Sequence, residues 1–441
     1  MELITRAPRG TQDVLPADSY KWQHIEQTAL SIARDFGFRE LRTPVFEHTE
    51  LFQRSVGETT DVVQKEMYTF VDRGDRSVTL RPEGTAGAAR LFLESGLYAG
   101  ALPVKTSYVC SCYRYEKPQA GRLREFHQFG VECFGAAAPA ADAEVISLAA
   151  TILKEFGVPD VTLYLNSIGC PACRAKYQEA LVAYFSAHKD ELCGTCLDRL
   201  ERNPMRILDC KSPVCHGIAA GAPVILDYLC DDCRDHFEAV KACLQAADID
   251  FEIDPHIVRG LDYYTRTVFE FISKSEKLGS QATVCAGGRY DGLIEELGGP
   301  HVPSLGFGMG LERLLLVLDA CGYKFPEPPA CELYLAPMGE AAARECFAIA
   351  TRLRQGGVSV ECDIAGRGLK AQMKYADKLG ARYTVVVGED ELASRQAKLK
   401  DMQTGETTDV ALDDSLYTTL YQKSLDRQLA GVADLFGQVA E

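Results

Sequence analysis

Between Tyr113 and Gln128 the chain reads Tyr-Arg-Tyr-Glu-Lys-Pro-Gln-Ala-Gly-Arg-Leu-Arg-Glu-Phe-His-Gln, which sets Arg114, Arg122 and Arg124 at or near the base of a loop carrying Pro118 and Gly121. Guanidinium groups stay charged and their fork of donors matches phosphate oxygens, so this grouping suits a phosphate ligand. Taken alone, the same string is equally a solvated hairpin with surface charges. Further along, Gly306-Phe-Gly-Met-Gly-Leu-Glu-Arg313 places closely spaced glycines ahead of a helix, and Ala286-Gly-Gly-Arg-Tyr-Asp-Gly292 has a similar texture. Bare glycines let a ligand approach backbone N–H groups, and a helix N-terminus favours an anion. Arg313, one turn into that helix, could reach a triphosphate or equally lie on the surface. No strand followed by the full dinucleotide fingerprint supports a nicotinamide site. Two more strings carry polar residues in β-like surroundings: Thr79-Leu-Arg-Pro-Glu-Gly-Thr85, which could be only a strand ending in a proline turn, and Val258-Arg-Gly-Leu-Asp-Tyr-Tyr264.

Cysteine is the other chemical signal. The chain has 17, an odd number, so complete internal pairing is impossible. Three close pairs, Cys170/Cys173, Cys193/Cys196 and Cys230/Cys233, are joined by the looser pair Cys210/Cys215. Repeated C-x-x-C spacing is a zinc signature, because adjacent thiolates can share one tetrahedral ion. Eight ligands could hold two ions, or four could hold one, and the spacing alone assigns no ligand individually. The competing reading is that cysteines on helical segments are small buried hydrophobes.

The elements that must position these residues follow from the hydrophobic pattern. With 441 residues, 46% of them hydrophobic, the chain exceeds a single core and should form two or three domains. Charged residues make up 25%, and no apolar run is long enough to span a bilayer, so a membrane role is not expected. The opening MELITRAPRG has no apolar signal core, and an unexported cytoplasmic protein is expected. A net charge of −16 argues against a surface that embraces nucleic acid everywhere, while leaving room for a local basic patch. Residues 20–36 predict an amphipathic helix ending at Gly37, and residues 142–156 predict another. Between and after them lie short β-like runs at 40–44, 67–72, 77–80, 105–115 and 125–134, and then at 258–272 and 282–286. Their close spacing predicts an antiparallel sheet. The second group is followed by a glycine-rich turn and a helix over 309–320. A helical, cysteine-rich insertion over residues 170–250 splits this first domain. After Lys324-Phe-Pro-Glu-Pro-Pro329, strands and helices alternate regularly over residues 332–388, the pattern of a small α/β domain with parallel strands. A tail from about Ser415 carries apolar residues at helical spacing, including Leu416, Leu420, Leu429, Val432 and Leu435. Arg199, Arg202, Arg206 and Lys211 in the insertion, and Arg367, Lys370, Lys374 and Lys378 in the last domain, are two basic groups that could meet nucleic acid or simply be solvated.

In this order the motifs resemble those of a class II aminoacyl-tRNA synthetase of the histidyl type. Thr43-Pro-Val-Phe-Glu47 resembles the first class II motif, Tyr113 to Gln128 the second and Gly306 to Arg313 the third. Val258 to Tyr264 and Ala286 to Gly292 are similar to the two histidine-specific motifs of that family, and Arg6-Ala-Pro-Arg-Gly-Thr-Gln-Asp13 fits it too. The resemblance implies an α+β fold: an antiparallel-sheet catalytic domain over residues 1–325 with a tRNA-facing insertion, then an anticodon-binding α/β domain over 330–441 with a C-terminal helical tail. It implies ATP-dependent activation of L-histidine to histidyl-adenylate, with Mg²⁺ on the pyrophosphate side, and transfer to tRNA(His) by a homodimer. Glu83, Thr85 and Gln128 are implied to hold the α-amino group, and Glu132 and Tyr264, with Tyr263, to read the imidazole. Arg114 is implied to bind the α-phosphate with Arg122 nearby, Arg313 the γ-phosphate, and Glu116 to lie beside the adenine. Arg259 is implied to stabilise charge on the α-phosphate during attack by the histidine carboxylate. The family does not require a metal in the insertion, so structural zinc there rests on the cysteine spacing alone. Two rivals stand beside this reading. One is the synthetase-like regulatory subunit of ATP phosphoribosyltransferase, which lacks aminoacylation and typically the last domain. The other, a general nucleotide-binding or zinc-scaffold protein, leaves the five ordered motifs unexplained.

Overall fold

Along Glu125–Phe134, Phe129, Val131 and Cys133 alternate with Gln128, Gly130 and Glu132. A strand's period of two sends the first set to one face of a sheet and the second to the other. In the computed structural model, which describes residues 4–57, 60, 62–210, 212–258, 261–274, 283–328 and 331–438, this strand lies inside an eight-stranded sheet. Its order is Arg39–Glu40, Val104–Tyr113, Glu125–Phe134, Ser304–Gly310, Thr283–Arg289, Thr265–Ser273, Val161–Ser167 and Glu252–Ile253. All neighbours are antiparallel except the two outermost pairs.

The apolar face is covered by the helices Ser19–Asp35, Pro139–Glu155, Asp231–Ala246 and Leu311–Cys321, which bury Ile25, Ile152, Leu244 and Leu314 with Phe129, Phe307 and Met309. Each such side chain contributes about 1.5–3 kcal/mol when fully buried. The first helix ends where the sequence predicts, since Gly37 takes φ 84° and its N–H bonds the Arg34 carbonyl at 2.9 Å. The opposite face carries the polar set, and the insertion's last helix, Asp231–Ala246, returns the chain to the apolar face.

Three departures from the sequence reading matter. The β-like run from 258 gives no strand among its described residues before Thr265, where the sheet strand begins, and Tyr263 and Tyr264 are buried from a loop instead. The glycine-rich stretch at 286–289 and 306–310 is not a turn but two adjacent central strands, Thr283–Arg289 and Ser304–Gly310. Of the run at 40–44, only Glu40 pairs as strand, in Arg39–Glu40, parallel to Val104–Tyr113. Phe46–His48, Ser77–Leu80 and Thr69–Val71 form a separate three-stranded sheet. Between residues 170 and 250 the chain is helical, with Pro171–Ala187, Gly194–Arg202, Pro213–Ala219 and Asp231–Ala246 separated by short turns.

The chain divides into two compact units, Met1–Pro326 and Glu327–Glu441. In the second, Val360–Cys362, Leu333–Pro337 and Tyr383–Val387 are parallel, as predicted. Two antiparallel strands unread in the sequence, Gln396–Asp401 and Thr407–Ala411, extend that sheet. Their charged outer residues mask the alternation of buried Ala397 and Leu399. The tail is a helix, Ser415–Gln438, with Leu416 and Leu420 buried and Leu429 exposed. The side chains of Val432 and Leu435 lie outside the described residues. Among the described residues no helix is long and apolar enough to cross a membrane.

Candidate active site

A cavity of about 500 Å³ opens on the polar face of the sheet. Its lining brings together most of the residues singled out from the sequence: Glu83, Thr85, Arg114, Glu116, Arg122, Gln128, Tyr263, Tyr264 and Arg313. Glu132 stands just behind the wall, and Arg259 lies outside the described residues. Gly306, Gly308 and Gly310 line the cavity. A Cβ on Gly306 would lie 2.3 Å from the Glu132 carboxylate, and one on Gly308 would lie 2.0 Å from the Gln128 amide. Glycine at these strand positions leaves room for the neighbouring functional side chains.

The first chemical group is acidic and fully buried. Glu83 accepts the backbone N–H groups of Thr85 and Ala86, both at 2.7 Å, at the start of the helix Thr85–Glu94. Those bonds fix the carboxylate while leaving lone pairs for a ligand. Burial raises the Glu83 pKa, and the two backbone bonds oppose the rise. Glu132 accepts the Tyr108 hydroxyl at 2.8 Å on one oxygen and the Tyr290 hydroxyl, in a short contact, on the other. Burial pushes its pKa well up, against hydrogen bonds from Thr85 and Tyr108. Tyr263, Tyr264 and Tyr290 pack ring against ring, with the Tyr263 centroid 4.7 Å from Tyr264 and 5.2 Å from Tyr290.

The second group is basic. Arg114 donates from Nε to the Pro82 carbonyl at 2.8 Å and lies 4.0 Å from Glu116, which also holds Arg122 in a close ion pair. Arg313 donates to the Gly121 carbonyl at 3.1 Å and the Thr283 carbonyl at 2.9 Å. Its basicity is lowered, first by burial and then by the charges of Arg122 and Arg114. Three guanidinium groups crowded onto one wall are a site for a polyanion, because a multiply charged phosphate relieves their mutual repulsion. The N-terminal segment braces this wall: the Gly10 carbonyl accepts the Arg124 N–H at 2.7 Å, and the Arg124 guanidinium covers the Tyr115 ring at 3.8 Å.

Several residues here escaped the sequence reading. Tyr108 and Tyr290, the two partners of Glu132, are ordinary strand-context tyrosines until the register brings them together; Tyr290 sat in a quoted motif without a role. Arg289 of the same motif turns away from the cavity. It is buried against Asp142, at 3.2 Å from its Nε, and against Asp291 at 3.1 Å. Asp142 also accepts from His236 Nε2 at 3.2 Å, and His236 Nδ1 meets Arg266 at 3.3 Å. Burial alone would raise the Asp142 pKa, but the His236 hydrogen bond and the Arg289 charge hold it below the usual value. A buried acid three residues into the helix Pro139–Glu155, far along the chain from its arginine, gives no signal in sequence.

The basic groups fare unequally. Lys370, Lys374 and Lys378 share an exposed face of the helix Leu369–Lys378. Arg367 precedes that helix, paired with Asp363 at 2.7 Å and stacked on Tyr375, so it does not continue the row. In the insertion, Arg199 donates to the Arg206 carbonyl at 2.9 Å, Arg202 is exposed, and Lys211 lies outside the described residues. The insertion's eight paired cysteines gather into two groups, Cys170, Cys173, Cys230 and Cys233, and Cys193, Cys196, Cys210 and Cys215.

Comparison with known proteins bears on all of this. A family model described as histidyl-tRNA synthetase matches residues 10–173 and 222–314, and one described as anticodon binding domain matches 332–418. A histidine–tRNA ligase from Caldanaerobacter subterraneus subsp. tengcongensis is 56% identical over 412 residues, covering 93% of this chain and 98% of its own length. One from Acetivibrio thermocellus is 53% identical over 411 residues, with the same coverage. The crystal structure of apo S. aureus histidyl-tRNA synthetase superposes with a TM-score of 0.81 at 40% identity, covering 95% of this chain and all of that one.

Proposed function

The chain belongs to the histidyl-tRNA synthetase family, whose activity is the ATP-dependent ligation of histidine to tRNA, and from that premise we propose how its cavity performs the reaction. The observation that carries the reading is the meeting, in one cavity, of the buried carboxylate of Glu83, with Glu132 just behind the wall, and three arginines. The acidic group takes the amino acid. Glu83, fixed by its two backbone bonds, pairs the α-ammonium, with Thr85 and Gln128 beside it. Glu132 reads the imidazole through the oriented hydroxyls of Tyr108 and Tyr290, with Tyr263 and Tyr264 closing the pocket. A site whose polar groups are left unpaired by the wrong side chain rejects it far better than an apolar slot does.

The arginines take ATP. Arg114 holds the α-phosphate with Arg122 nearby, Arg313 the γ-phosphate, and Glu116 lies beside the adenine. Arg259 stabilises charge on the α-phosphate as the histidine carboxylate attacks and pyrophosphate leaves. Glu270 and Glu312, carboxylates lining the same cavity, are the oxygen donors that would hold the Mg²⁺ that enters with ATP, and the ion would supply positive charge for the pyrophosphate. Catalysis is positioning plus electrostatic stabilisation, and no side chain needs to become a nucleophile. Histidyl-adenylate then acylates the terminal ribose of tRNA(His).

The same reading makes residues 1–325 the catalytic domain and 330–441 the anticodon-binding domain, where the exposed Lys370, Lys374 and Lys378 would meet the anticodon stem. The insertion faces the acceptor arm, and its cysteines hold structural zinc, a soft-thiolate site. The protein works in the cytoplasm as a homodimer: the register of the small sheet sets exposed Phe46, at the first motif, and exposed Phe70 on the same face, which a second copy would cover. The regulatory-subunit alternative is less supported, since the relatives are named as ligases and the last domain is present. ATP–pyrophosphate exchange with each of the twenty amino acids tests the reading. Stimulation by histidine alone is expected, and exchange driven by another amino acid would overturn the pocket assignment.

A further inference from the structure

Order along the chain does not show which cysteines of the insertion meet. The first pair passes over the next four to join the last: Cys170 and Cys173 converge with Cys230 and Cys233, while Cys193 and Cys196 converge with Cys210 and Cys215. Within each group all four sulfur atoms lie within 4.8 Å of one another. Each C-x-x-C pair has the same local geometry. Its first cysteine is the N-cap, and its second lies in the first turn, of Pro171–Ala187, Gly194–Arg202 or Asp231–Ala246. Two sulfurs therefore point to one place at a helix end whose free N–H groups and positive dipole favour thiolate.

The sulfurs already behave as acceptors. The Cys230 N–H donates to Cys173 Sγ at 3.1 Å, and the Cys193 N–H to Cys215 Sγ at 3.2 Å. Cys170 and Cys173 sulfurs are 3.5 Å apart, and those of Cys193 and Cys210 are 3.9 Å apart. A disulfide needs about 2.05 Å. Four thiolates at about 2.3 Å from one tetrahedral ion sit about 3.8 Å from each other. The spacing is that of ligands around a single ion.

We propose that the insertion is built around two separate mononuclear zinc ions, each on four thiolates, one closing its neck at Cys170, Cys173, Cys230 and Cys233 and one inside its lobe at Cys193, Cys196, Cys210 and Cys215. This rests on the reading of these cysteines as zinc ligands and adds the number of ions, their ligands and what each holds. The neck site joins the point where the chain leaves the sheet to the point where it returns. Gly169, beside it, accepts the Arg266 N–H at 2.9 Å at the start of the strand Thr265–Ser273. Arg174, next after Cys173, donates to the Tyr264 carbonyl at 3.2 Å, so the neck ion braces a wall of the substrate cavity. The lobe site fixes Cys210, and its neighbour Asp209 lines that cavity; Asn203 reaches Asp262 at 3.4 Å. The lobe packs on an apolar cluster that includes Leu181, Phe185, Leu200, Ile207 and Ile225, and the four cysteines of the lobe site lie in it or against it, so an ion there ties the short helix Gly194–Arg202 to that cluster. Zinc binding adds its own free energy to the folding of the lobe.

Elemental analysis of the purified full-length chain, after dialysis against a chelator, tests this. Two zinc atoms per chain are expected, falling to one in the double variant Cys193→Ser/Cys196→Ser and to one in Cys230→Ser/Cys233→Ser. Replacing zinc by Co²⁺ should give the visible absorption of a tetrathiolate site. One zinc in the unmodified chain would overturn the two-ion assignment while leaving the zinc reading intact. No zinc, with the eight residues found by mass spectrometry as thiols or disulfides, or iron in its place, would sink the zinc reading itself. The count is made on the unmodified protein, so it stands even if a variant fails to fold.

Discussion

The substrate cavity and the cysteine-rich lobe above it are held in place by different means. In the cavity, side chains ride on paired strands or on the loops and helix ends beside them. Glu83 is fixed by two backbone N–H groups, Glu132 by two tyrosine hydroxyls and Arg313 by two carbonyls. In the lobe, short helices and turns pack on a common apolar cluster, and the proposed zinc ions would add point ligation where a sheet's ladder serves below. A sheet offers many weak, cooperative restraints and tolerates the loss of one. A thiolate knot offers a few strong ones and fails as a unit. Chemistry that needs sub-ångström placement sits on the first kind of support, and the adaptable surface proposed to meet tRNA sits on the second.

The largest test of the comparison is at the reaction itself. Arg259→Ala should lower histidine-dependent ATP–pyrophosphate exchange by about a hundred- to a thousandfold, since one lost transition-state contact in a closed site costs about that much. The far-ultraviolet circular dichroism should not change. Near-normal exchange from such a variant removes Arg259 from the mechanism. Next is the frame. Asp142→Ala leaves the buried Arg289 without its principal partner, and urea unfolding should register a loss of about 3–5 kcal/mol. A loss under 1 kcal/mol would mean that the catalytic sheet is no more dependent on buried pairing than the lobe. Since the Asp142 pKa is held down in the fold, the stability it contributes is present above the ordinary value of 3.8 and disappears as pH falls through the lowered one.

A finer cut separates the two halves of the cavity. Glu132→Gln keeps the shape but changes the acceptor that Tyr108 and Tyr290 share, so the KM for histidine should rise about ten- to hundredfold while the KM for ATP holds. Equal rises in both would argue that Glu132 supports the sheet and not the amino acid. The smallest effect is at His127, whose ring meets Glu312 at 2.9 Å. The Glu312 hydrogen bond raises its pKa against burial, so nuclear magnetic resonance titration should place its midpoint above the ordinary 6.5. The stability from this pair is complete below 6.5 and is lost as pH rises through the raised value. A midpoint below 6.5 would show that burial outweighs the ion pair.

How far the sequence carries depends on what each residue answers to. The strands Ser77–Leu80 and Glu125–Phe134 were legible to the residue, because short β-prone runs are punctuated by turn residues. Tyr263 and Tyr264 misled, since aromatic, strand-prone residues were buried from a loop by tertiary packing. Glycines 306 and 308 read as a turn by local preference, yet they are strand because Glu132 and Gln128 occupy the space their side chains would need. The acids and arginines of the cavity came from motif resemblance; their partners Tyr108 and Tyr290 came only with the register of the sheet. Cysteine spacing marked candidate metal ligands but not which pair meets which, because that depends on the fold of the whole insertion.

Charging of a tRNA(His) transcript by the purified chain, with histidine and Mg²⁺–ATP, tests the central claim most directly. The account predicts histidine esterified to the terminal ribose, dependent on ATP and abolished together with exchange in Arg259→Ala. A folded chain that binds histidine and ATP but charges no tRNA would contradict it and point to a regulatory relative of the synthetases.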